Sequence, residues 1–272
     1  MFEQEHALIT GGSSGIGKAI ACELARRGAH VTLVARTPSR LEEAAAEITA
    51  CRHSAGQTVQ TFVVDVRDAQ AVHRVVTEVE GAGGAIDLLV NAAGIAHPGY
   101  FHELPLSVFR DTMEINYFGT VHTTQAVAPA MMQRRRGRIL NFSSMGGLAA
   151  VFGYTAYSAS KFAVRGFSEA LRSELKPYGI TVSVVYPPDT DTPQLASENR
   201  IKPPETKRIA AAAKVMQPEA VARIALEGVA RGKVLIIPGL ESRLLYIALQ
   251  VAGAAAHSVT DMLVRQAQAE KK

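Results

Sequence analysis

Short apolar runs recur along this chain, each parted from the next by a longer helical segment, and no other feature restricts its fold as strongly. The runs cover residues 7–10, 31–35, 59–65, 88–91, 139–143, 181–186 and 234–237. Between them, segments such as 15–27 and 41–52 carry Ala, Leu, Glu and Arg at helical spacing. Alternation on this scale predicts a parallel sheet with helices on both faces. The runs are apolar at nearly every position rather than every second one, which predicts strands buried on both sides. Crossovers are expected to be right-handed. The 272 residues suit one α/β domain, doubly wound around a parallel sheet.

Hydrophobic residues make up 47% and charged residues 20%, an ordinary globular balance. A net charge of +4 suits an anionic ligand and gives no reason to expect nucleic acid. Cys22 and Cys51 stand in no metal-like spacing and suggest no disulfide framework. A reducing, cytoplasmic compartment is therefore expected. The polar start of the chain has no signal-peptide pattern. A membrane-spanning helix needs roughly 18–20 apolar residues. The most apolar candidate, 244–256, is too short, and extending it brings in His257 and Asp261. That segment reads as a subunit interface in a homo-oligomer, as a substrate-channel wall, or as a helix resting peripherally on a membrane surface.

The first run leads into Thr10-Gly11-Gly12-Ser13-Ser14-Gly15-Ile16-Gly17, with a helix to follow. Glycines there let backbone approach a pyrophosphate, and the helix start offers free N–H groups to it. Gly11, Ser13, Ser14, Gly15, Ile16 and Gly17 are thus candidate cofactor contacts. The spacing is G-x-x-x-G-x-G rather than G-x-G-x-x-G. Dinucleotide binders that use NAD place an acidic residue at the end of the second strand. This chain has Arg36, whose guanidinium fork suits a 2′-phosphate. NADPH is the cofactor expected.

After the fifth run stands Asn141-Phe142-Ser143-Ser144, and further on Tyr157-Ser158-Ala159-Ser160-Lys161 opens a helical stretch. Tyr157 and Lys161 are four apart and share a helix face. An ammonium beside a phenol is expected to lower its pKa from about 10. Tyr157 would then protonate an alkoxide while Ser144 polarises the carbonyl.

Taken together, residues 10–17, Asn91-Ala92-Ala93-Gly94, Ser144 and Tyr157-x-x-x-Lys161 resemble the short-chain dehydrogenase/reductase family. The resemblance runs to about residue 237. It implies a Rossmann-type fold with a seven-stranded parallel sheet and a Ser–Tyr–Lys catalytic set. It further implies that Asn116 completes a tetrad through a water shared with Lys161, and that Lys161 reaches ribose hydroxyls. Asp65 and Val66 would flank the adenine, and Asn91 and Gly94 would lie along the cofactor. Spacing from Tyr157 favours Ser144 over Ser143. Where many members have Pro-Gly after the sixth strand, this chain has Tyr186-Pro187-Pro188-Asp189-Thr190-Asp191-Thr192-Pro193. Pro187, Thr190 and Thr192 there are expected to touch the cofactor. That run, with Glu198-Asn199-Arg200, Lys202-Pro203, Val34-Ala35-Arg36 and the surroundings of Tyr157, is similar to the 3-ketodihydrosphingosine reductases of sphingolipid synthesis. The implied reaction is NADPH-dependent reduction of 3-ketodihydrosphingosine to dihydrosphingosine. A steroid, fatty acyl or small xenobiotic ketone stays open as substrate, as does a non-catalytic NADPH-binding role.

The Pro-rich, polar segment 187–204 reads as irregular, and the expectation is a substrate loop spanning 187–214 that closes as a lid. The domain boundary falls at 240, with 241–272 as an apolar helical extension of the same domain. Arg134-Arg135-Arg136-Gly137-Arg138 reads as a cation-rich helix end with Gly137 as terminator, with membrane or nucleic-acid docking as alternatives. His97 reads as a loop residue, and the scattered histidines give no metal site.

Overall fold

In a computed structural model, which describes residues 2–82, 84–211, 214–255, 261–262, 264–266 and 268, every apolar run yields a strand. These are β1 (His6–Thr10), β2 (His30–Ala35), β3 (Val59–Val63), β4 (Ile86–Asn91), β5 (Gly137–Phe142), β6 (Ile180–Val185) and β7 (Leu235–Ile236). They form one 7-stranded sheet in the order β3-β2-β1-β4-β5-β6-β7. Each neighbouring pair is parallel. Strand order reverses between β1 and β4, and a crevice opens at the carboxyl ends on either side of that point.

Helices α1 (Gly15–Arg26), α2 (Pro38–Ala50), α3 (Ala69–Gly81), α4 (Leu106–Met113), α5 (Gly119–Arg134) and α6 (Thr155–Leu175) connect the strands up to β6. Successive strand residues serve opposite faces. Ala7 and Ile9 of β1 pack with Ile20 and Leu24 of α1 and Leu41 of α2, while Leu8 packs with Val76 of α3 and Met131 of α5. The first core also takes Ala222 and Leu226 from α9 (Pro218–Ala230). Both faces of the sheet are therefore covered, as the uninterrupted apolar runs require.

Segment 187–204 departs from the expectation of an irregular loop. It contains α7 (Pro193–Ile201), and α8 (Pro204–Ala211) follows directly. The prolines that suggested irregularity instead begin helices. Pro193 occupies the first helical turn behind Thr192, whose side chain accepts from the Leu195 N–H at 3.2 Å. Pro204 is the first residue of α8.

A disulfide joins Cys22 and Cys51, with Cα atoms 5.6 Å apart. Sequence spacing gave no sign of this bond. Packing of α1 against α2 brings together two residues 29 apart in the chain. Unpaired cysteines thus no longer support a reducing compartment.

The arginine run is paired within the fold. Arg134 bonds Glu80 and the Ile86 carbonyl, Arg135 the Pro177 carbonyl, and Arg136 and Arg138 both bond Glu5. Arg135, not Gly137, takes the left-handed position that ends α5, with φ 53°.

The apolar segment near the end forms α10 (Leu240–Ala252); residues 256–260 of the extension lie outside those described. Leu244, Ile247 and Val251 are exposed on it, while Tyr246 packs against the cluster of Tyr186 and Ile237. Among the described residues, no helix is long and apolar enough to cross a membrane.

Candidate active site

A cavity of about 990 Å³ lies at the carboxyl ends of the strands, reaching from the turn after β1 to the segment after β6. Its floor at one end is backbone. Gly11 has φ +69°, and a Cβ there would meet Ala92 and Ala93 backbone at 2.7–2.8 Å. A Cβ on Gly17 would stand 2.4 Å from the Gly11 carbonyl oxygen. Neither position tolerates a side chain, so the turn lies flat against β4 and α1 starts close beneath it. Ser14 precedes α1 in extended conformation without capping it, and no acidic residue occupies the first turn. The N–H groups and partial positive charge of a 12-residue helix therefore face the cavity without internal competition. Ser13, Ser14, Gly15 and Ile16 line it beside them.

Next along the cavity, Arg36 and Asp65 stand at the ends of β2 and β3, with Arg36 Nη1 4.0 Å from Asp65 Oδ2. Arg67 bonds the same carboxylate at 2.7 Å. Partial burial pushes the Asp65 pKa up, but the hydrogen bonds and charge of Arg67, with Arg36, outweigh it and hold the carboxyl below its ordinary value. Val66 lines the cavity here. So does Arg40, in the first turn of α2, which sequence reasoning missed. Its position three residues into a helix carried no motif signal. Thr37 before α2 makes no side-chain cap, so a second open helix start and two guanidinium groups share this corner.

The other end gathers Ser144, Tyr157 and Lys161. Ser144 follows β5 and accepts from the Gly146 N–H at 3.1 Å, leaving its own hydrogen to point elsewhere. Tyr157 sits in the first turn of α6, and Lys161 follows one turn later. The Lys161 ammonium lies 5.6 Å from the Tyr157 ring centroid and donates to the Phe142 carbonyl at 2.9 Å. Ser143 is engaged elsewhere: its hydroxyl donates to the Lys161 carbonyl at 2.9 Å.

The electrostatics differ from the expectation that Lys161 lowers the phenol. Burial holds Tyr157 above its ordinary value, Ser144 pulls it down, and Glu198 and Asp189 push it further up. Burial pushes Lys161 down to about 8, against an upward pull from Glu198. Desolvation wins in both cases because each group is deeply enclosed. The outcome is a phenol that stays protonated across neutral pH.

Asn116 does not line the cavity. It lies in a π-helical turn, Glu114–Phe118, and its side chain clasps the Ile95 backbone, accepting at 2.8 Å and donating at 2.9 Å, while also donating to Ser160. A Cβ on Gly94 would meet Asn116 Oδ1 at 3.2 Å and Lys161 Nζ at 3.5 Å, so the two converge on one spot. Asn91 is likewise withdrawn, its amide bonding Asn141 and Thr124 within the core. Gly94, Pro187, Thr190 and Thr192 do line the cavity. The Pro187 carbonyl accepts from Met145 N–H, and the Thr192 methyl packs near Gly15.

Beyond Tyr157 the wall is built from α7, α8 and α10, including Leu195, Glu198, Lys202 and Leu245. Burial of Glu198 and Lys202 was not legible. On a segment so polar, nothing distinguishes an inward charge from an outward one.

Among the described residues no cluster suited to a metal ion occurs. A parallel sheet with an anion-ready helix start at its switch point, facing a tyrosine and a serine across one cavity, is the architecture of a dinucleotide-dependent oxidoreductase. The chain belongs to the short chain dehydrogenase family, which it matches over residues 5–202. A 3-dehydrosphinganine reductase of Danio rerio is 47% identical over 228 residues, spanning 84% of this chain and 69% of that protein. A 3-ketodihydrosphingosine reductase of Bos taurus is 46% identical with the same coverage of both chains. A short-chain dehydrogenase from Sphingobium yanoikuyae, solved in complex with NADPH, has a TM-score of 0.78 and 32% identity, covering 93% of this chain and 95% of its own.

Proposed function

We propose that this chain uses NADPH to reduce the 3-keto group of 3-ketodihydrosphingosine to the secondary alcohol of dihydrosphingosine. The observation that carries the reaction class is the convergence of Ser144, Tyr157 and Lys161 in a cavity continuous with the glycine turn. The named relatives carry the choice of substrate.

The residues present fit the cofactor. The side-chain-free cradle at Gly11 and Gly17 admits a pyrophosphate, and Arg36 with Arg40 supplies the charge for a 2′-phosphate. The cofactor held by these residues would supply the hydride that reduces the carbonyl carbon. Ser144 donates to the carbonyl oxygen and polarises it. Tyr157 delivers its phenolic proton to that oxygen as it becomes an alkoxide, a far stronger base. The Lys161 ammonium stabilises the phenolate left behind and would also hold the cofactor ribose. Asn116 holds Ile95 and Ser160 in place around it. The apolar side chains Leu195 and Leu245 line the wall on which an alkyl tail is received, each buried CH₂ contributing about 0.8 kcal/mol.

Two consequences test this account. Since Tyr157 stays protonated well above neutrality, the alkaline limb of the pH profile belongs to Lys161. Its ammonium is present below about 8 and lost as pH rises through that value. kcat/KM is expected to fall with a single-proton slope there, and a flat profile up to pH 10 would contradict the assignment. The substrate is tested by following NADPH consumption with 3-ketodihydrosphingosine beside a steroid and a short ketone. Fast turnover of either alternative without the sphingoid ketone would replace the substrate but keep the chemistry. Binding without oxidation across the set would leave only a cofactor-binding role.

The exposed Leu244, Ile247 and Val251 of α10 support peripheral contact with the lipid surface where such a substrate resides. Vesicle cosedimentation unchanged by L244E/I247E would remove α10 from that role. Phe118 and Phe162, each 40% exposed, support self-association, and a monomer by sedimentation velocity would exclude it.

A further inference from the structure

Glu198, midway along α7, is 8% exposed and lines the same cavity as Tyr157 and Ser144. Its two hydrogen-bond donors are both neutral. The Tyr154 hydroxyl donates to Oε2 at 2.5 Å and the Gln194 amide to Oε1 at 2.9 Å. Among the described residues no cation lies within 4.0 Å of the carboxylate. Lys202, a buried ammonium on the next turn of chain, pairs with Asp189 at 3.6 Å instead. A buried carboxylate without a cationic partner is costly unless something else supplies the charge. Here it faces a cavity rather than a packed core.

Its place relative to the reacting group is also defined. The Tyr154 ring stands 5.6 Å from the Tyr157 ring, centroid to centroid, and Tyr154 holds Glu198 through its hydroxyl. Tyr157, Tyr154 and Glu198 thus form one continuous wall. The cavity they line has room for a ketone anchored on Tyr157, and one of its two neighbouring carbons can face that wall. In the substrate proposed above, one of those carbons bears an ammonium.

We propose that Glu198 receives the ammonium of an α-amino ketone and makes the enzyme selective for ketones with a cationic nitrogen beside the carbonyl. The inference rests on the reading of this cavity as a ketone reductase site. It has a second consequence. Glu198 raises both Tyr157 and Lys161 through its charge. An ammonium bound to it offsets that charge, so the phenol releases its proton more readily, while Lys161 also loses its proton at lower pH. Below that alkaline limb the amine should raise kcat as well as lower KM.

The test compares 3-ketodihydrosphingosine with the same ketone bearing hydrogen in place of the amine, in wild type and Glu198→Gln. The ratio of their kcat/KM values is expected to fall about 10- to 100-fold in the variant, the range of one charge-assisted hydrogen bond. Both kcat and KM for the amine substrate should contribute. A folded E198Q protein that keeps the wild-type ratio overturns the proposal and leaves the substrate reading standing. Calorimetry on the enzyme–NADPH complex gives an arm independent of turnover. Submicellar dodecylammonium should bind at least tenfold more tightly than dodecanol, and E198Q should erase the difference. Equal binding of the two by wild type overturns the proposal even if E198Q does not fold. Glu198-dependent amine binding without turnover of the sphingoid ketone upholds the ammonium site and rejects that substrate.

Discussion

Tyr157→Phe is expected to lower turnover by about 10²- to 10⁴-fold, the contribution of a placed general acid, while NADPH binding stays within a few-fold. The substitution removes one oxygen and little else. Tyr157 is enclosed, and its ring packs at 5.6 Å from Tyr154 and beneath the Lys161 ammonium, contacts that a phenylalanine ring keeps. The phosphate turn and Arg36 lie at the far end of the cavity. The account thus separates the two readouts: fluorescence titration with NADPH reports the binding half, and steady-state turnover reports the proton. Near-full activity in the variant would take the proton donor away from Tyr157. A parallel loss of binding would mean that the ring positions the cofactor rather than the proton.

Changing Arg36 to Asp is expected to move the NADPH-to-NADH preference by about two to three orders of magnitude. Loss of charge-assisted bonds to a 2′-phosphate accounts for roughly 1.5–3 kcal/mol. A carboxylate in its place adds repulsion toward the phosphate and an acceptor for a free ribose diol. Arg36 is about half exposed, and its contact with Asp65 is long at 4.0 Å, so the guanidinium is not committed to an internal partner. Arg40 remains in the variant and limits the switch. The ratio of kcat/KM values for the two cofactors is the quantity to measure. An unchanged ratio would transfer the 2′-phosphate to Arg40 and the α2 start alone.

The fold was legible because its signal is redundant. Seven apolar runs parted by helical segments leave few topologies, and the glycine turn fixes which strand is first. The reactive end was legible for a similar reason: Tyr157 and Lys161 lie one helical turn apart, so their meeting follows from local geometry. What escaped depends on contacts distant in sequence. The Cys22–Cys51 bond follows from how α1 and α2 pack, which no spacing records. Prolines 193 and 204 read as breakers, whereas at a first helical turn they fit without loss of a hydrogen bond. The expected acidity of Tyr157 considered Lys161 alone. Enclosure and the carboxylates of Glu198 and Asp189, both brought in by the segment after β6, reverse its direction. Asn91 and Asn116 stand where the motif places them, with side chains bonded to buried partners.

The most direct test of the central claim is a crystal structure of the complex with oxidised cofactor and dihydrosphingosine. The account predicts the Tyr157 hydroxyl and Ser144 Oγ both within hydrogen-bond distance of the 3-hydroxyl, with the carbon bearing it against the nicotinamide ring. A product hydroxyl held by other groups, with Tyr157 turned from it, would contradict the account.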